Sequence, residues 1–247
     1  MAGARQAKEY VLVHGAAHGA WCWEAVAARL TRRGHRVTTL DMPGHGRRAA
    51  EVGKASVAAY AQAVVDAMAQ AGVSRGIVVG HSMAGVVIPR VAELVPSRVA
   101  HLVFLAAIVV PHGGSIAEAN ASPAARAALH GLATGRGDGT FLYPAETAWA
   151  RWMADLPRDS PEAGRALALL TPQALRPFIE KVDMRGFYAL RVPRSYIRCM
   201  RDAAVTPDRA AGYAARLGVT PIDIRTAHDP MLSDPDGLAE RLDRIAS

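Results

Sequence analysis

Strand-like and helix-like segments alternate through the first 106 residues with only short connections, and few folds satisfy that pattern. Residues 10–13, 36–40, 77–79 and 99–106 read as strands, the run 77–79 being apolar and β-branched throughout. Helical patterns over 24–33 and 57–71 separate them and stop at Gly34 and Gly72. Parallel strands joined by right-handed helical crossovers are the economical solution. After residue 110 the alternation stops for some 80 residues, then resumes with a strand at 195–200, a helix from Pro207 to 217, a strand at 220–224 and a closing helix at 235–245. The expectation is an α/β chain: a mostly parallel sheet of about six strands flanked by helices, with a helical cap inserted after the fourth strand. The core would comprise 1–110 and 191–247, and the cap 111–190.

Seven of the fourteen aromatic residues fall in the inserted stretch: Phe141, Tyr143, Trp149, Trp152, Phe178, Phe187 and Tyr188. It also carries a glycine-rich loop, 135–139. A helical insertion rich in large apolar groups suits a lid over a site at the carboxyl ends of the strands, where parallel sheets place their chemistry.

Charge and cysteine usage narrow the function classes. The net charge of +7 comes from 26 Arg and 3 Lys, dispersed along the chain. The densest clusters are pairs, Arg32-Arg33 and Arg47-Arg48, so the excess fits a GC-rich genome better than a nucleic-acid or membrane patch. Cys22 and Cys199 are isolated and suggest neither a disulfide framework nor a zinc site. The first nine residues lack an apolar core, and the longest apolar stretch, 99–111, contains His101 and is too short to span a bilayer. A cytoplasmic protein is expected, with no nucleic-acid or membrane partner; a homodimer stays open.

The most chemically informative stretch is Ile77-Val78-Val79-Gly80-His81-Ser82-Met83-Ala84-Gly85, followed by an apolar helical pattern over 86–95. A strand that turns this abruptly into a helix forces its serine into a strained conformation, and only tiny side chains fit two positions either side. Gly80 and Ala84 occupy those positions, with alanine where glycine is more usual. Ser82 is thereby presented at a helix N-terminus, where free N–H groups favour developing negative charge.

A serine hydroxyl needs a histidine base, and the base needs an anion to fix its tautomer. On a sheet of this kind the order is serine, acid, histidine. Of nine histidines only His228 lies beyond residue 130, and it follows the last strand. Asp202, Asp208, Asp223 and Asp229 compete as the acid. Asp223 falls within a strand, Asp208 suits a helix end and Asp229 adjoins the base. Asp202 directly follows a strand and is therefore the choice.

An oxyanion hole requires two backbone N–H groups. Met83 supplies one, and the loop His14-Gly15-Ala16-Ala17-His18-Gly19 the other, with Ala16 the favoured donor. His14 and His18, four apart, could pass for metal ligands, but no carboxylate stands near them in the loop, and structural hydrogen bonding is expected instead. No metal and no other cofactor is expected. Gly15, His18, Phe141, Tyr143, Trp149, Trp152 and Phe178 are the candidates for the substrate pocket.

With these pieces assembled, the chain resembles the α/β-hydrolase superfamily, and within it the group of plant methyl esterases, hydroxynitrile lyases and bacterial pyrethroid-type carboxylesterases. The resemblance lies in the run from Val11 to Trp23, in Gly80-His81-Ser82-Met83-Ala84-Gly85, in Phe104-Leu105-Ala106-Ala107, in Pro172-Gln173-Ala174-Leu175-Arg176-Pro177 and in His228-Asp229-Pro230-Met231-Leu232-Ser233. It implies a Ser82/Asp202/His228 triad, no cofactor and an acyl-enzyme mechanism, while the aromatic insertion suggests a small hydrophobic ester as substrate. Hydroxynitrile lyases of this fold carry threonine in the oxyanion loop and lysine after the histidine, where this chain has Gly15 and Asp229. Both departures favour ester hydrolysis, and Asp229 is expected to repel anionic groups at the site. The alternatives are a lyase using the same residues and a ligand-binding protein on the same scaffold.

Overall fold

The computed structural model describes residues 7–245. The opening segment read above as lacking a leader therefore lies largely outside the described residues. Four strands, β1 (Glu9–Val13), β2 (Arg36–Thr39), β3 (Gly76–His81) and β4 (Val99–Leu105), alternate with helices α1 (Glu24–Arg32), α2 (Val57–Gln70) and α3 (Val87–Leu94). The stretch that follows β4 holds helices α4 (Ile116–Asn120), α5 (Pro123–Arg136), α6 (Ala145–Trp152), α7 (Pro161–Leu169), α8 (Arg176–Ile179) and α9 (Arg185–Ala189). Within it lie two short strands, β5 (Thr140–Phe141) and β6 (Gln173–Ala174), and the chain then returns through β7 (Arg194–Cys199), α10 (Pro207–Leu217), β8 (Ile222–Ile224), α11 (Pro230–Ser233) and α12 (Pro235–Arg244).

Six strands form one wholly parallel sheet in the order β2-β1-β3-β4-β7-β8. The order reverses between β1 and β3, so their carboxyl ends diverge around a crevice, the usual place for a ligand in an open parallel sheet. Alternation along the strands feeds two cores. Tyr10, Leu12, Ile77, Val79, Val103 and Leu105 pack on α1 and α12, and Val11, Val13, Val78, Leu102 and Phe104 pack on α2, α3 and α10. The central strands are buried on both faces, which is why they lack polar alternation in sequence.

Two features of the insertion depart from the sequence-based expectation. The glycine-rich loop starts later, because α5 continues to Arg136 and ends with Gly137 at φ 73°, a left-handed cap that glycine adopts without a Cβ penalty. Beyond it, β5 (Thr140–Phe141) and β6 (Gln173–Ala174) pair antiparallel, a two-residue ladder too short to leave a periodic signal. No helix among the described residues is long and apolar enough to cross a membrane.

Candidate active site

Ser82 stands at the end of β3, at the head of a 3-10 turn, Ser82–Val86, that runs into α3. Its φ is +53°, a conformation a non-glycine residue holds only when its surroundings impose it. Those surroundings are close-packed. A Cβ on Gly80 would lie 2.8 Å from Ile88 Cγ2 and 3.1 Å from the Ala84 carbonyl, and one on Gly85 would collide with the Ile108 carbonyl. The Ser82 carbonyl in turn accepts the Ile108 N–H at 3.0 Å. The tight turn inferred from the spacing of small residues is thus clamped by Ala107 and Ile108, at the end of the Phe104–Ala107 run noted in sequence and one residue beyond it.

Three strand ends converge here. His228, after β8, lies between the two partners: its Nδ1 is 2.7 Å from Asp202 Oδ2 and its Nε2 is 2.9 Å from Ser82 Oγ. A carboxylate can only accept, so Nδ1 carries the proton and the Nε2 lone pair faces the serine hydroxyl. Asp202, after β7, is held by the Ala204 and Val205 N–H groups, which donate to its Oδ1 at 2.7 and 2.8 Å. Asp202 and His228 are buried while Ser82 is half-buried, so only the serine end of this relay meets the opening.

The loop after β1 packs directly on the serine. A Cβ on Gly15 would sit 2.9 Å from both Ser82 Cβ and His81 Nδ1, so glycine here allows the loop to approach. The Ala16 N–H has no acceptor among the described residues, and the Met83 N–H belongs to the first turn of its helical segment, where N–H groups have no partner within the helix. The next residue, Ala17, has φ +61° and is gripped by the insertion. Its N–H donates to Gln173 Oε1 at 3.1 Å, and its carbonyl accepts the Thr171 N–H at 2.8 Å.

Histidines buttress the loop. His14 accepts the Met42 N–H at Nε2 and donates from Nδ1 to the Gly15 carbonyl. Burial, with His45 nearby, holds its pKa well below the ordinary value, so it is neutral. His45 donates to Gln173 Oε1 at 2.9 Å and is likewise lowered by burial.

His18 differs. Its Nδ1 lies 2.7 Å from the Ala16 carbonyl and its Nε2 3.0 Å from Asp229 Oδ2, both acceptors, an arrangement that favours the doubly protonated ring. Burial alone would depress its pKa, but the charge and hydrogen bond of Asp229, with the Ala16 carbonyl, raise it. Against its own burial, Asp229 is lowered in return by His18. Two expectations are corrected here. A carboxylate does stand beside the histidines of the oxyanion loop, brought from β8 some two hundred residues away. And the Asp229 side chain is 1% exposed, turned from the opening onto His18 and His81, so it offers no repulsion to an incoming anion.

His81 joins this layer. Its Nε2–H donates to the His228 carbonyl at 3.1 Å and lies 3.5 Å from Asp229 Oδ1; burial keeps it neutral. His81, His228 and Asp229 are close enough together to suggest a metal cluster. Both His228 nitrogens are already engaged, however, leaving that residue none to offer a cation.

The remaining pocket candidates divide. His18 is 1% exposed and stacks on the Trp21 ring, with the Trp152 ring tilted against it. Phe141 is buried against Phe178 and Tyr143. Tyr143 and Phe178 line a cavity of about 260 Å³ beside Ala203 and Ala204, immediately after Asp202. Trp149 donates to the Leu156 carbonyl within the insertion, and Trp152 packs under Tyr143. Cys22 and Cys199 are buried and unpaired, and burial pushes both thiols up.

Comparison with known proteins now bears on this geometry. The model of the alpha/beta hydrolase family matches residues 10–241. The chain belongs to the alpha/beta hydrolase family. Among curated relatives, Methylesterase 9 of Arabidopsis thaliana is 59% identical over 39 residues, 16% of this chain and 15% of that protein. Esterase PIR7B of Oryza sativa subsp. japonica is 53% identical over 45 residues, 18% and 17% respectively. The chain thus matches less than a fifth of the length of these relatives. Solved structures extend the likeness over the whole hydrolase fold. An extracellular alpha/beta-hydrolase from a Paenibacillus species, described as sharing structural and functional homology with Tobacco Salicylic Acid Binding Protein 2, superposes with a TM-score of 0.88 at 25% identity, over 95% of this chain and 97% of that one. A pyrethroid hydrolase from Sphingobium faniae JZ-2 superposes at 0.76 and 25%, over 96% of each.

Proposed function

We propose that this hydrolase is a serine carboxylesterase acting on a small, largely apolar ester through an acyl-enzyme. The observation that carries this reading is His228 hydrogen-bonded at once to Ser82 and Asp202. His228 Nε2 takes the Ser82 proton as Oγ attacks the ester carbonyl. Asp202 stabilises the imidazolium that forms and keeps the ring in register. The Ala16 and Met83 N–H groups receive the developing oxyanion, in a setting that needs no reorganisation when charge appears. His228 then protonates the departing alcohol. Water, deprotonated by the same histidine, attacks the acyl-enzyme, and the acid leaves with Ser82 restored.

The two curated relatives described above are esterases by name, and the solved structure of similar fold is named a pyrethroid hydrolase. Asp229 supports hydrolysis over cyanohydrin cleavage: the position after the base carries a buried carboxylate paired with His18, not an ammonium facing the substrate. The aromatic insertion supports an apolar substrate.

The deciding test is intact-mass spectrometry after fluorophosphonate treatment. A single adduct, absent from Ser82→Ala, together with hydrolysis of p-nitrophenyl butyrate lost in the same variant, is the expected result. Folded protein that takes no adduct would overturn the reading.

A further inference from the structure

The cavity beside the relay is built for more than an apolar chain. Its volume of about 260 Å³ leaves room for a short chain with a polar end. One wall is apolar: Ile116, Leu129 and Phe178. Arg151 and Arg209 also line the cavity, and no aspartate or glutamate does among the described residues.

Arg151 lacks the partner its neighbours have. Arg158 rests on Glu146 and Arg201 on Asp155, whereas Arg151 has no carboxylate among the described residues. Its Nε is buried without any hydrogen-bond partner. One side of the guanidinium is taken by the Tyr143 ring, with Cζ 5.4 Å from the centroid. Arg209 donates to the Asn120 carbonyl and is also without a carboxylate. Burying a guanidinium N–H unpaired is unfavourable, and a planar oxyanion satisfies such a fork through two parallel hydrogen bonds.

Neither Ser82 nor His228 lines the cavity, but its wall is shared with the chain segments that hold the relay. Ala203 and Ala204 in its wall follow Asp202, and the Ala204 N–H holds the Asp202 carboxylate. Arg151 directly precedes Trp152, whose carbonyl accepts the Asp229 N–H at 3.0 Å in the base loop. Asp229 itself does not oppose an anion here, since its charge is compensated by His18.

We propose that this cavity receives a carboxylate borne by the substrate, so that the natural ester is a half-ester of a dicarboxylic acid with its free carboxylate on Arg151. The inference rests on the ester-hydrolysis reading for its consequence, but its binding part can be tested without turnover.

Calorimetric binding of monomethyl adipate and dimethyl adipate to the Ser82→Ala protein separates the two. The monoester is expected to bind at least tenfold more tightly, the order of effect of a charged hydrogen-bonding partner. That preference should shrink towards unity when Arg151→Met is added and return in part with Arg151→Lys. Equal binding of the two esters, or a preference untouched by a folded Arg151→Met variant, would overturn the proposal. The mono- against diester comparison decides even if the methionine variant does not fold. Hydrolysis of neutral p-nitrophenyl butyrate by the wild-type chain reports separately on Ser82: hydrolysis without the anion preference removes the pocket, and the preference without hydrolysis leaves the pocket standing while removing the esterase reading.

Discussion

His18 and Asp229, 211 positions apart in sequence, form a fully buried ion pair 3.0 Å long directly behind the Ser82–His228 contact. Through the Ala16 carbonyl it grips the loop after β1, and through the backbone of Asp229 it grips both His228 and Trp152 of the insertion. Removing one partner strands the other charge in the interior. Asp229→Ala is therefore expected to lower stability by about 3–5 kcal/mol. Asp229→Asn should cost less, because its amide oxygen still accepts from His18 Nε2–H. Urea unfolding of the three proteins checks the order, and a loss below about 1 kcal/mol for the alanine variant would show that the pair does not fasten these loops.

The buried histidines predict how stability changes with pH. His14, His45 and His81 are held below their ordinary value by burial, so the unfolded chain binds protons that the folded chain refuses. Stability then rises with pH and is lost as pH falls through the ordinary value of 6.5, by up to about 1.4 kcal/mol per pH unit for each group. His18 has the opposite sign. Its raised value makes its contribution complete below 6.5 and lost as pH climbs through the folded value. The lowered value of Asp229 adds stability above 3.8 that disappears only in stronger acid. Urea midpoints should thus climb from pH 5 towards neutrality and sag on the alkaline side. His45→Gln should flatten the acid limb, and Asp229→Asn the alkaline one. An acid limb as steep in His45→Gln as in the parent would refute the assignment of its neutral state.

Relief of strain at the nucleophile offers a third prediction. Ser82 holds φ +53° because the small residues around it and the Ile108 hydrogen bond leave the backbone no other course. Glycine occupies that region without penalty, whereas alanine keeps the Cβ that suffers it. Ser82→Gly should be more stable than Ser82→Ala by about 1 kcal/mol, although both lack the hydroxyl. Thermal unfolding of the pair measures the difference, and a glycine variant no more stable than alanine means the turn relaxes when the serine is gone.

Much of this site was legible because its signals are local. The buried run 77–79 and the small residues around Ser82 specify a strand and a sharp turn through steric limits acting over a few positions. His228 and Asp202 could be singled out because parallel-sheet topology restricts which strand ends meet. What escaped was decided by distant partners. Asp229 looks, in sequence, like a charge beside the base facing the substrate; only β8 lying across the sheet from β1 turns it onto His18. The strands β5 and β6 are two residues each and carry no periodicity, and Arg151 is one of 26 arginines until it is seen to lack the carboxylate partner that Arg158 and Arg201 have.

Gln173 tests whether the insertion serves the oxyanion loop or merely covers it. It is fully buried on β6, and its Oε1 accepts both the Ala17 N–H and His45 Nε2–H. Its Nε2 donates to the Tyr60 hydroxyl and to the Ala174 carbonyl. Every polar atom of the side chain is used, and one of its partners is adjacent to Ala16. Gln173→Ala leaves the Ala17 N–H and the His45 donor buried and unpaired, a cost of about 1–3 kcal/mol for each group so exposed. Ala17 sits at φ +61°, so without that clamp the loop has reason to relax and carry the Ala16 N–H away from the oxyanion position. Loss of one oxyanion donor typically lowers kcat by about 10²- to 10³-fold with less effect on KM. Steady-state hydrolysis of p-nitrophenyl butyrate by Gln173→Ala, at a temperature where the variant is folded, should show a fall in kcat approaching that range. A variant that is destabilised yet turns over at the parental kcat would show that Gln173 supports the fold alone, and that the Ala16 loop keeps its shape without the insertion.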